Sequence, residues 1–283
     1  MEPQSDWATA LPAPALRAFI ESYRGYRMTG FDPGLHRGLP SRHLTFIVSI
    51  GPPIDVVAHP EGSPTRPDRF RCVLSGLQPS EALIRHTGHQ EGVAIELTPL
   101  GCRALFGLPT AALWNTSIEL AEVAGRAGDE LWERLQAVES WDARFAVCND
   151  VLTRLLRDDG AVAVTVAPEL TVAWHAIVRS GGGVAITDLA EEVGWSRQHL
   201  RRRFADEFGL SPKLAARIVR FERARLMLQS VPSFVTIAQV AAACGYYDQA
   251  HLNRDFAELA GCPPRVWLDD EVPNFQYDDA AGM

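Results

Sequence analysis

Residues 194–204, GWSRQHLRRRF, place several strong hydrogen-bond donors on one short segment. Arginine can bind the edge of a guanine with two parallel hydrogen bonds, and glutamine can bind adenine in the same way. The whole chain of 283 residues has a net charge of −8, yet residues 196–225 hold nine Lys and Arg residues against three acids. A basic surface on an otherwise acidic chain indicates a polyanionic partner.

One supersecondary unit occurs twice in the C-terminal part of the sequence. The matching positions are Ile186, Ala190, Val193 and Gly194 with Ile237, Ala241, Cys244 and Gly245, followed by Leu200 and Phe204 with Leu252 and Phe256. The offset is 51 residues in the first group and 52 in the second, so the second unit contains one inserted residue. Each unit has a short apolar helix face, a glycine suited to φ > 0 and an N-cap residue for the next helix. This pattern predicts two helix-turn-helix units.

The polar face of the second helix in each unit supplies the candidate DNA contacts. The predicted base-reading residues are Arg197, Gln198, Arg201 and Arg202 in the first unit and Gln249, His251, Asn253 and Arg254 in the second. The predicted phosphate contacts are Ser196, Arg217, Arg220 and Asp248. Between the units, residues 211–228 predict one helix about 27 Å long at 1.5 Å per residue. Such a spacer would hold two recognition helices about one DNA turn apart, roughly 34 Å, on double-stranded DNA.

The C-terminal hundred residues resemble the AraC/XylS family of transcription regulators. The residues that carry the resemblance most specifically are Ala241, Gly245, Tyr246, Asp248, Leu252, Arg254, Phe256, Gly261 and Pro264. The resemblance covers about 168–268. It implies two helix-turn-helix subdomains joined by a helix, asymmetric DNA readout and, in many members, a regulatory N-terminal domain.

The elements before residue 168 are of two kinds. Short apolar and β-branched runs at 43–50, 54–59, 70–77, 81–88 and 91–99 predict strands of a sandwich or small barrel. From about residue 100 the apolar spacing becomes helical, both in TAALWNTSIELAEVAG and in the segment 128–160. The family resemblance suggests a cupin-like sensor for the β-rich part.

The expected fold class is therefore α+β, with an all-α C-terminal domain. We expect a β-rich ligand-sensing domain at 1–112, a helical linker and dimerisation segment at 113–160, the AraC-type DNA-binding domain at 168–270 and an acidic tail at 271–283. By residue type, the candidate ligand contacts in the N-terminal half are Arg42, His43, Arg85, His86 and Trp114.

The sequence contains no motif that indicates catalysis, a cofactor or a metal centre. No two histidines stand two residues apart, as a metal-binding cupin would need, and the five cysteines are scattered without CxxC spacing. His86 and His89 have ligand-like spacing, but the glycine between them favours a hairpin turn. The motifs GxSxG, GxGxxG and the P-loop are absent. A sensor is thus favoured over an enzyme fused to a DNA-binding domain.

These features predict a cytoplasmic, nucleoid-associated regulator that acts as an activator or a repressor. We expect a homodimer, a small-molecule effector and, for an activator, RNA polymerase as a partner, and no membrane association because no apolar run reaches about 18 residues. The alternative is a regulator controlled by a protein partner or by constitutive dimerisation, without a ligand.

Overall fold

A computed structural model of the chain describes residues 3–66, 68–158, 166–230 and 235–271. The strands of the described residues all lie before residue 120. They are β1 (Gln4–Ala10), β2 (Ile20–Thr29), β3 (Gly34–Gly38), β4 (Thr45–Ser49), β5 (Ile54–Ala58), β6 (Asp68–Phe70), β7 (Cys72–Ser75), β8 (Ala82–His86), β9 (Gln90–Leu97) and β10 (Ser117–Glu119).

The strands form two antiparallel sheets. The first has the order β1-β2-β9-β4-β7-β10 and the second the order β3-β8-β5-β6. The register of the central pair β2 and β9 includes Tyr23 opposite Ile95 and Tyr26 opposite Gly92. Strands that are far apart in sequence are therefore neighbours in space, and both ends of the N-terminal region contribute to the first sheet.

The first sheet is covered on both faces, and the alternation of its side chains explains this. Tyr23 stacks on Phe145 with ring centroids 6.0 Å apart, and Phe46 meets Phe106 edge-on at 6.2 Å, so one face packs on helices. Ile47 lies on the opposite face of β4 and packs with the buried apolar side chains between the two sheets. Three layers result: helices, the first sheet and the second sheet.

The helices of the N-terminal part are α1 (Pro99–Phe106), α2 (Ala121–Ala124), α3 (Arg126–Gln136) and α4 (Trp141–Asp158), with 3₁₀ turns at Pro14–Leu16 and Thr110–Leu113. The prediction of helical structure over TAALWNTSIELAEVAG was wrong for the middle of that segment. Asn115 has φ +55°, which ends the 3₁₀ turn, and the residues that follow form β10 and pair with β7 at the sheet edge. The predicted linker segment 113–160 therefore contains a strand of the first sheet. Its helices also pack on that sheet, and Trp132 Nε1 donates a hydrogen bond to Ser49 O over 3.0 Å.

The described residues after 166 are helical. The helices are α5 (Pro168–Arg179), α6 (Ile186–Glu192), α7 (Arg197–Phe208), α8 (Pro212–Ser230), α9 (Ile237–Ala243), α10 (Gln249–Ala260) and α11 (Pro264–Glu271). The expected α+β class, with a β-rich N-terminal and an all-helical C-terminal domain, is confirmed. Helix α8 has 19 residues and matches the predicted spacer. Most of the predicted acidic tail, residues 272–283, lies outside the described residues. Within the described residues, no helix combines the length and apolarity that crossing a bilayer requires.

Candidate nucleic-acid interface

The two helix-turn-helix units have matching turns. Gly194 and Gly245 adopt φ +69° and +77°, which favours glycine over any residue with a Cβ. The next backbone amides, those of Trp195 and Tyr246, each donate a hydrogen bond of 2.9 Å to the carbonyl of the residue five positions earlier. The repeat in the sequence therefore corresponds to a repeat in the backbone.

The recognition helices α7 and α10 begin with side-chain caps. Ser196 Oγ accepts a hydrogen bond from His199 N over 3.2 Å, and Asp248 Oδ1 accepts one from His251 N over 2.7 Å. These bonds satisfy amide groups that the first helical turn leaves without a partner. The caps fix where each helix starts, and this sets which side chains face outward.

The polar side chains of α7 and α10 are presented to solvent at the N-terminal half of each helix. The exposed residues are Arg197, Gln198, Arg201, Arg202 and Arg203 on α7 and Gln249, Ala250 and Arg254 on α10. Both helices bury an apolar face, which includes Phe204 in α7 and Phe256 in α10, each with no exposed surface. The helices therefore have one face for the core and one face for a partner.

The exposed arginines of α7 are available for an external partner. Among the described residues, Arg197, Arg201, Arg202 and Arg203 form no ion pair within 4 Å, whereas most arginines of the N-terminal half do. Unpaired guanidinium groups along one short helix repel one another and suit the binding of phosphates and bases. The sequence analysis did not single out Arg203, although it lies on the same helix.

Three of the predicted phosphate contacts have partners within the domain. Arg217 pairs with Asp255, with Nε 2.8 Å from Oδ1, and also pairs with Glu258. Arg220 donates a hydrogen bond to the carbonyl of Gly182 over 2.7 Å. Both guanidinium groups are thus used inside the domain. Asp248 is a cap whose carboxylate would repel phosphate, whereas the equivalent cap Ser196 carries no charge.

Two of the predicted base readers are half-buried. The ring of His251 packs edge-on against Tyr246 with centroids 5.1 Å apart, as His199 packs against Trp195 at 4.7 Å. Asn253 is also half-buried. The ring of His251 helps to hold the turn against the helix, while Gln249 and Arg254 are exposed.

Comparison with known proteins supports this assignment of the C-terminal part. Residues 189–270 match a family model described as a helix-turn-helix domain. An uncharacterised HTH-type transcriptional regulator of Staphylococcus aureus is 28% identical over 87 residues, which is 31% of this chain and 11% of that protein. The chain thus aligns with about a tenth of the length of the curated relatives that it matches.

The C-terminal domain is an AraC-type helix-turn-helix domain. The resemblance to the AraC/XylS family is thereby confirmed. The crystal structure of ToxT from Vibrio cholerae O395 shares the two-domain fold, with a TM-score of 0.50, 10% identity and coverage of 94% of this chain and 97% of that one. A second ToxT structure, bound to (E)-4-(8-methylnaphthalen-1-yl)but-3-enoic acid, has a TM-score of 0.51, 13% identity and coverage of 95% and 99%.

The AraC-type domain is attached to the N-terminal domain at the C-terminal end of each recognition helix. At the end of α7, Arg103 binds Glu207 through two hydrogen bonds of 2.8 and 2.7 Å. A Cβ placed on Gly209, which follows α7, would lie 2.6 Å from the Cβ of Trp114. At the equivalent position after α10, a Cβ on Gly261 would meet the carboxylate of Glu81. The N-terminal domain thus touches both units at repeat-equivalent glycines.

The contacts to the two glycines come from two chain segments that are bonded to each other. We call residues 76–81 and 110–116 together the interdomain ridge. Gly76 N donates to Thr116 O over 3.2 Å, and Asn115 N donates to Leu77 O over 3.0 Å. The ridge continues directly from β7 and into β10, which are paired strands. The interdomain ridge, whose two segments are hydrogen-bonded to each other, therefore contacts the C-terminal ends of both α7 and α10.

A cavity of about 320 Å³ lies between the two sheets and opens towards the AraC-type domain. Its inner walls are apolar and include Ile47, Val56 and Ile84. The domain contributes side chains from α8 and α11, among them Glu222, Arg225, Leu226, Gln229 and Trp267. The sequence analysis missed this set because the cavity combines residues from both domains.

Of the predicted ligand contacts, the structure brings only Arg42 and His43 to the cavity. Arg42 is bonded to Glu222 of α8 over 3.2 Å and to Glu21 over 2.9 Å. The other three candidates do not line the cavity: Arg85 is an exposed residue that pairs with Asp55, His86 packs beside His36, and Trp114 belongs to the interdomain ridge.

A group of three potential metal ligands, Glu21, His43 and Glu96, lies beside the cavity. Each carboxylate already has an arginine partner: Arg42 is 2.9 Å from Glu21, and Arg24 is 2.8 Å from Glu96. The hydrogen bond from His43, together with the charge of Arg42, lowers the pKa of Glu21 to about 2 despite its partial burial. The guanidinium groups balance the charge that would otherwise attract a cation.

Proposed function

We propose that the chain is a sequence-specific transcription regulator of the AraC type that binds double-stranded DNA with α7 and α10. The observation that carries this proposal is the presence of two exposed polar helix faces at matched positions of a repeated helix-turn-helix unit. Helix α8 joins the two units, and its length of about 28 Å is comparable with the 34 Å of one DNA turn.

In this proposal the exposed side chains read bases and set affinity. Arg197, Gln198, Arg201 and Arg202 contact the first site, and Gln249 and Arg254 contact the second, with secondary contributions from His251 and Asn253. Ser196 and Arg203 contact phosphate. A regulator of this kind is expected to act as a homodimer and, where it activates, to contact RNA polymerase.

The test starts with selection of a preferred duplex from a random DNA library by the full-length chain. Arg201→Ala should then weaken binding to that duplex by about 1–3 kcal/mol and should affect random DNA much less, because a bidentate base contact is lost. Arg126→Ala, at the exposed start of α3, is the matched control and should leave both affinities unchanged. Failure to select any preferred duplex would contradict the proposal.

We further propose that a small molecule in the interdomain cavity controls DNA binding. The lining combines apolar walls with Arg24, Arg37, Arg42 and Arg225 against only two acids, Glu96 and Glu222. This composition favours an apolar molecule that carries a negative group. The related fold of ToxT was solved with a bound carboxylic acid of that description.

The interdomain ridge connects the cavity to the proposed DNA-binding helices and could transmit the effect of a ligand to them. Ser75, Gln78 and Ser117 line the cavity. Ser75 Oγ donates to Ser117 Oγ over 2.7 Å, and Gln78 Nε2 donates to Gly38 O over 2.8 Å. These residues lie in the ridge or in the strands that lead into it. A ligand that changes these bonds would act on a structure in contact with both recognition helices.

Ligand control can be tested on the full-length chain by thermal unfolding. With the acid found in ToxT as probe, we expect a saturable rise in melting temperature, because binding to the folded state adds stability. Ala94→Phe, which fills the space between the sheets, should abolish the rise while leaving the selected duplex bound. No rise with this acid, with its alcohol analogue or with a metabolite extract would instead favour control by a protein partner or by constitutive dimerisation.

A further inference from the structure

The second helix-turn-helix unit contains one residue that the first unit lacks, and the structure identifies it as Tyr247. Trp195 and Tyr246 are equivalent, because each donates its backbone amide to the residue five positions earlier and packs its ring edge-on against a histidine of the following helix. In the first unit the cap Ser196 follows at once. In the second unit Tyr247 stands before the cap Asp248.

The side chain of Tyr247 makes almost no contact within the protein. It is 93% exposed, whereas its neighbour Tyr246 is 5% exposed. The next most exposed large apolar side chain among the described residues is Leu11, at 69%. An aromatic ring left in water adds little to folding, since the favourable free energy comes from removing apolar surface from water. The fold therefore gives no reason for a tyrosine at this position.

Tyr247 lies at the N-terminal end of α10. It directly precedes the cap of the helix, next to the exposed Gln249 and Ala250. In helix-turn-helix proteins the N-terminal residues of the recognition helix approach the DNA, and hydroxyl groups near that end bind phosphates. The carboxylate of Asp248 lies at the same corner and would repel phosphate, so an additional donor there would offset an unfavourable contact.

We propose that Tyr247 is a positioning residue that contacts the sugar–phosphate backbone beside the second recognition site. Its phenol O–H donates a hydrogen bond to a phosphate oxygen, and its ring packs on the adjacent deoxyribose. The inserted residue thus gives the second unit an aromatic backbone contact at a position that the first unit lacks. This inference rests on the proposed DNA-binding function.

The experiment measures affinity of the full-length chain for the selected duplex and for random DNA at several salt concentrations. Tyr247→Phe should weaken binding about threefold and Tyr247→Ala about tenfold, in line with one hydrogen bond and one ring contact. The loss should be similar on both DNAs, because the backbone carries no sequence information. The dependence on salt should keep its slope, because tyrosine releases no counterion, while Arg203→Ala, at the proposed phosphate contact, should flatten it.

Matched controls separate this role from a structural one. Leu35→Ala, at a 53% exposed apolar residue of the N-terminal domain, should not change binding. Both Tyr247 variants should keep the melting temperature of the wild type, because the side chain is almost fully exposed. Wild-type affinity of Tyr247→Ala, a loss restricted to the selected duplex, or loss of transcriptional activity alone would overturn the inference. Failure of the wild type to select any DNA would instead contradict the proposed function.

Discussion

The ion pair between Arg103 and Glu207 allows a quantitative test of the contact between the two domains. The arginine comes from α1 and the glutamate from α7, and their side chains are only 15% and 10% exposed. Hydrogen bonding to Glu207 raises the pKa of Arg103 above its usual value. Arg103→Ala would leave a carboxylate buried without its partner, at a cost of about 3–5 kcal/mol.

The assay is urea unfolding of the full-length chain. Arg103→Ala should lower the free energy of unfolding by that amount, and Arg103→Met combined with Glu207→Met should recover most of it, because apolar side chains of similar volume replace the pair. Arg154→Ala is the matched control. Its guanidinium also binds two acids, Glu130 and Asp150, but it is 46% exposed, so its removal should cost far less than the removal of Arg103.

The reasoning would be refuted if Arg103→Ala destabilised the chain no more than Arg154→Ala does. It would also be refuted if the double replacement were as destabilising as the single one, since the cost would then not arise from an unpaired buried charge. A free-energy loss that appears only in the unfolding of the C-terminal domain would still support the pair, because Glu207 belongs to α7.

Three further predictions concern other parts of the chain. Arg217→Ala should lower the free energy of unfolding in urea by about 3 kcal/mol, because the buried Asp255 loses its partner. Unchanged stability together with a flatter salt dependence of DNA binding would instead indicate that Arg217 contacts phosphate. Thr236→Ala removes a capping box shared with Gln239 and should cost about 1 kcal/mol, measured by thermal unfolding. Burial lowers the pKa of His36 to about 3 from 6.5. As the pH decreases, His36 therefore takes up a proton in the unfolded chain before it does so in the folded chain. The stability of the fold should then decrease between pH 6.5 and pH 3, and His36→Gln should remove that part of the pH dependence.

The C-terminal domain could be predicted from the sequence because its signals are local and repeated. The apolar face of α6, the glycine at position 194 and the cap Ser196 lie within eleven residues, and the same order returns in the second unit. The orientation of the arginines of α8 could not be predicted in this way. The partners of Arg217 and Arg220 are 38 or more residues away, so the sequence shows a basic helix but not which side chains are used inside the fold.

The N-terminal domain was harder to predict because its pattern depends on contacts distant in sequence. In β2, Tyr23 faces the helices and Arg24 lies on the cavity side. From sequence alone this strand shows only a mixture of polar and apolar residues, because its two faces are defined by its pairing with β1 and β9. Strand β10 has only three residues, and they pair with residues of β7 that lie 42 to 46 positions earlier. The residues that line the cavity are even farther apart in the sequence, since they extend from Trp7 to Trp267.

The arrangement of the recognition helices gives the proposed control a physical basis. Their N-terminal ends carry the exposed side chains that we propose as base readers, and their C-terminal ends meet the interdomain ridge at Gly209 and Gly261. A helix of 12 residues is about 18 Å long, so a tilt that moves one end by 1 Å about its middle moves the other end by a similar distance. Hydrogen bonds to base edges tolerate only about 0.5 Å in length. A small shift of the ridge would therefore be enough to weaken base contacts at both sites together, with no change in the helices themselves.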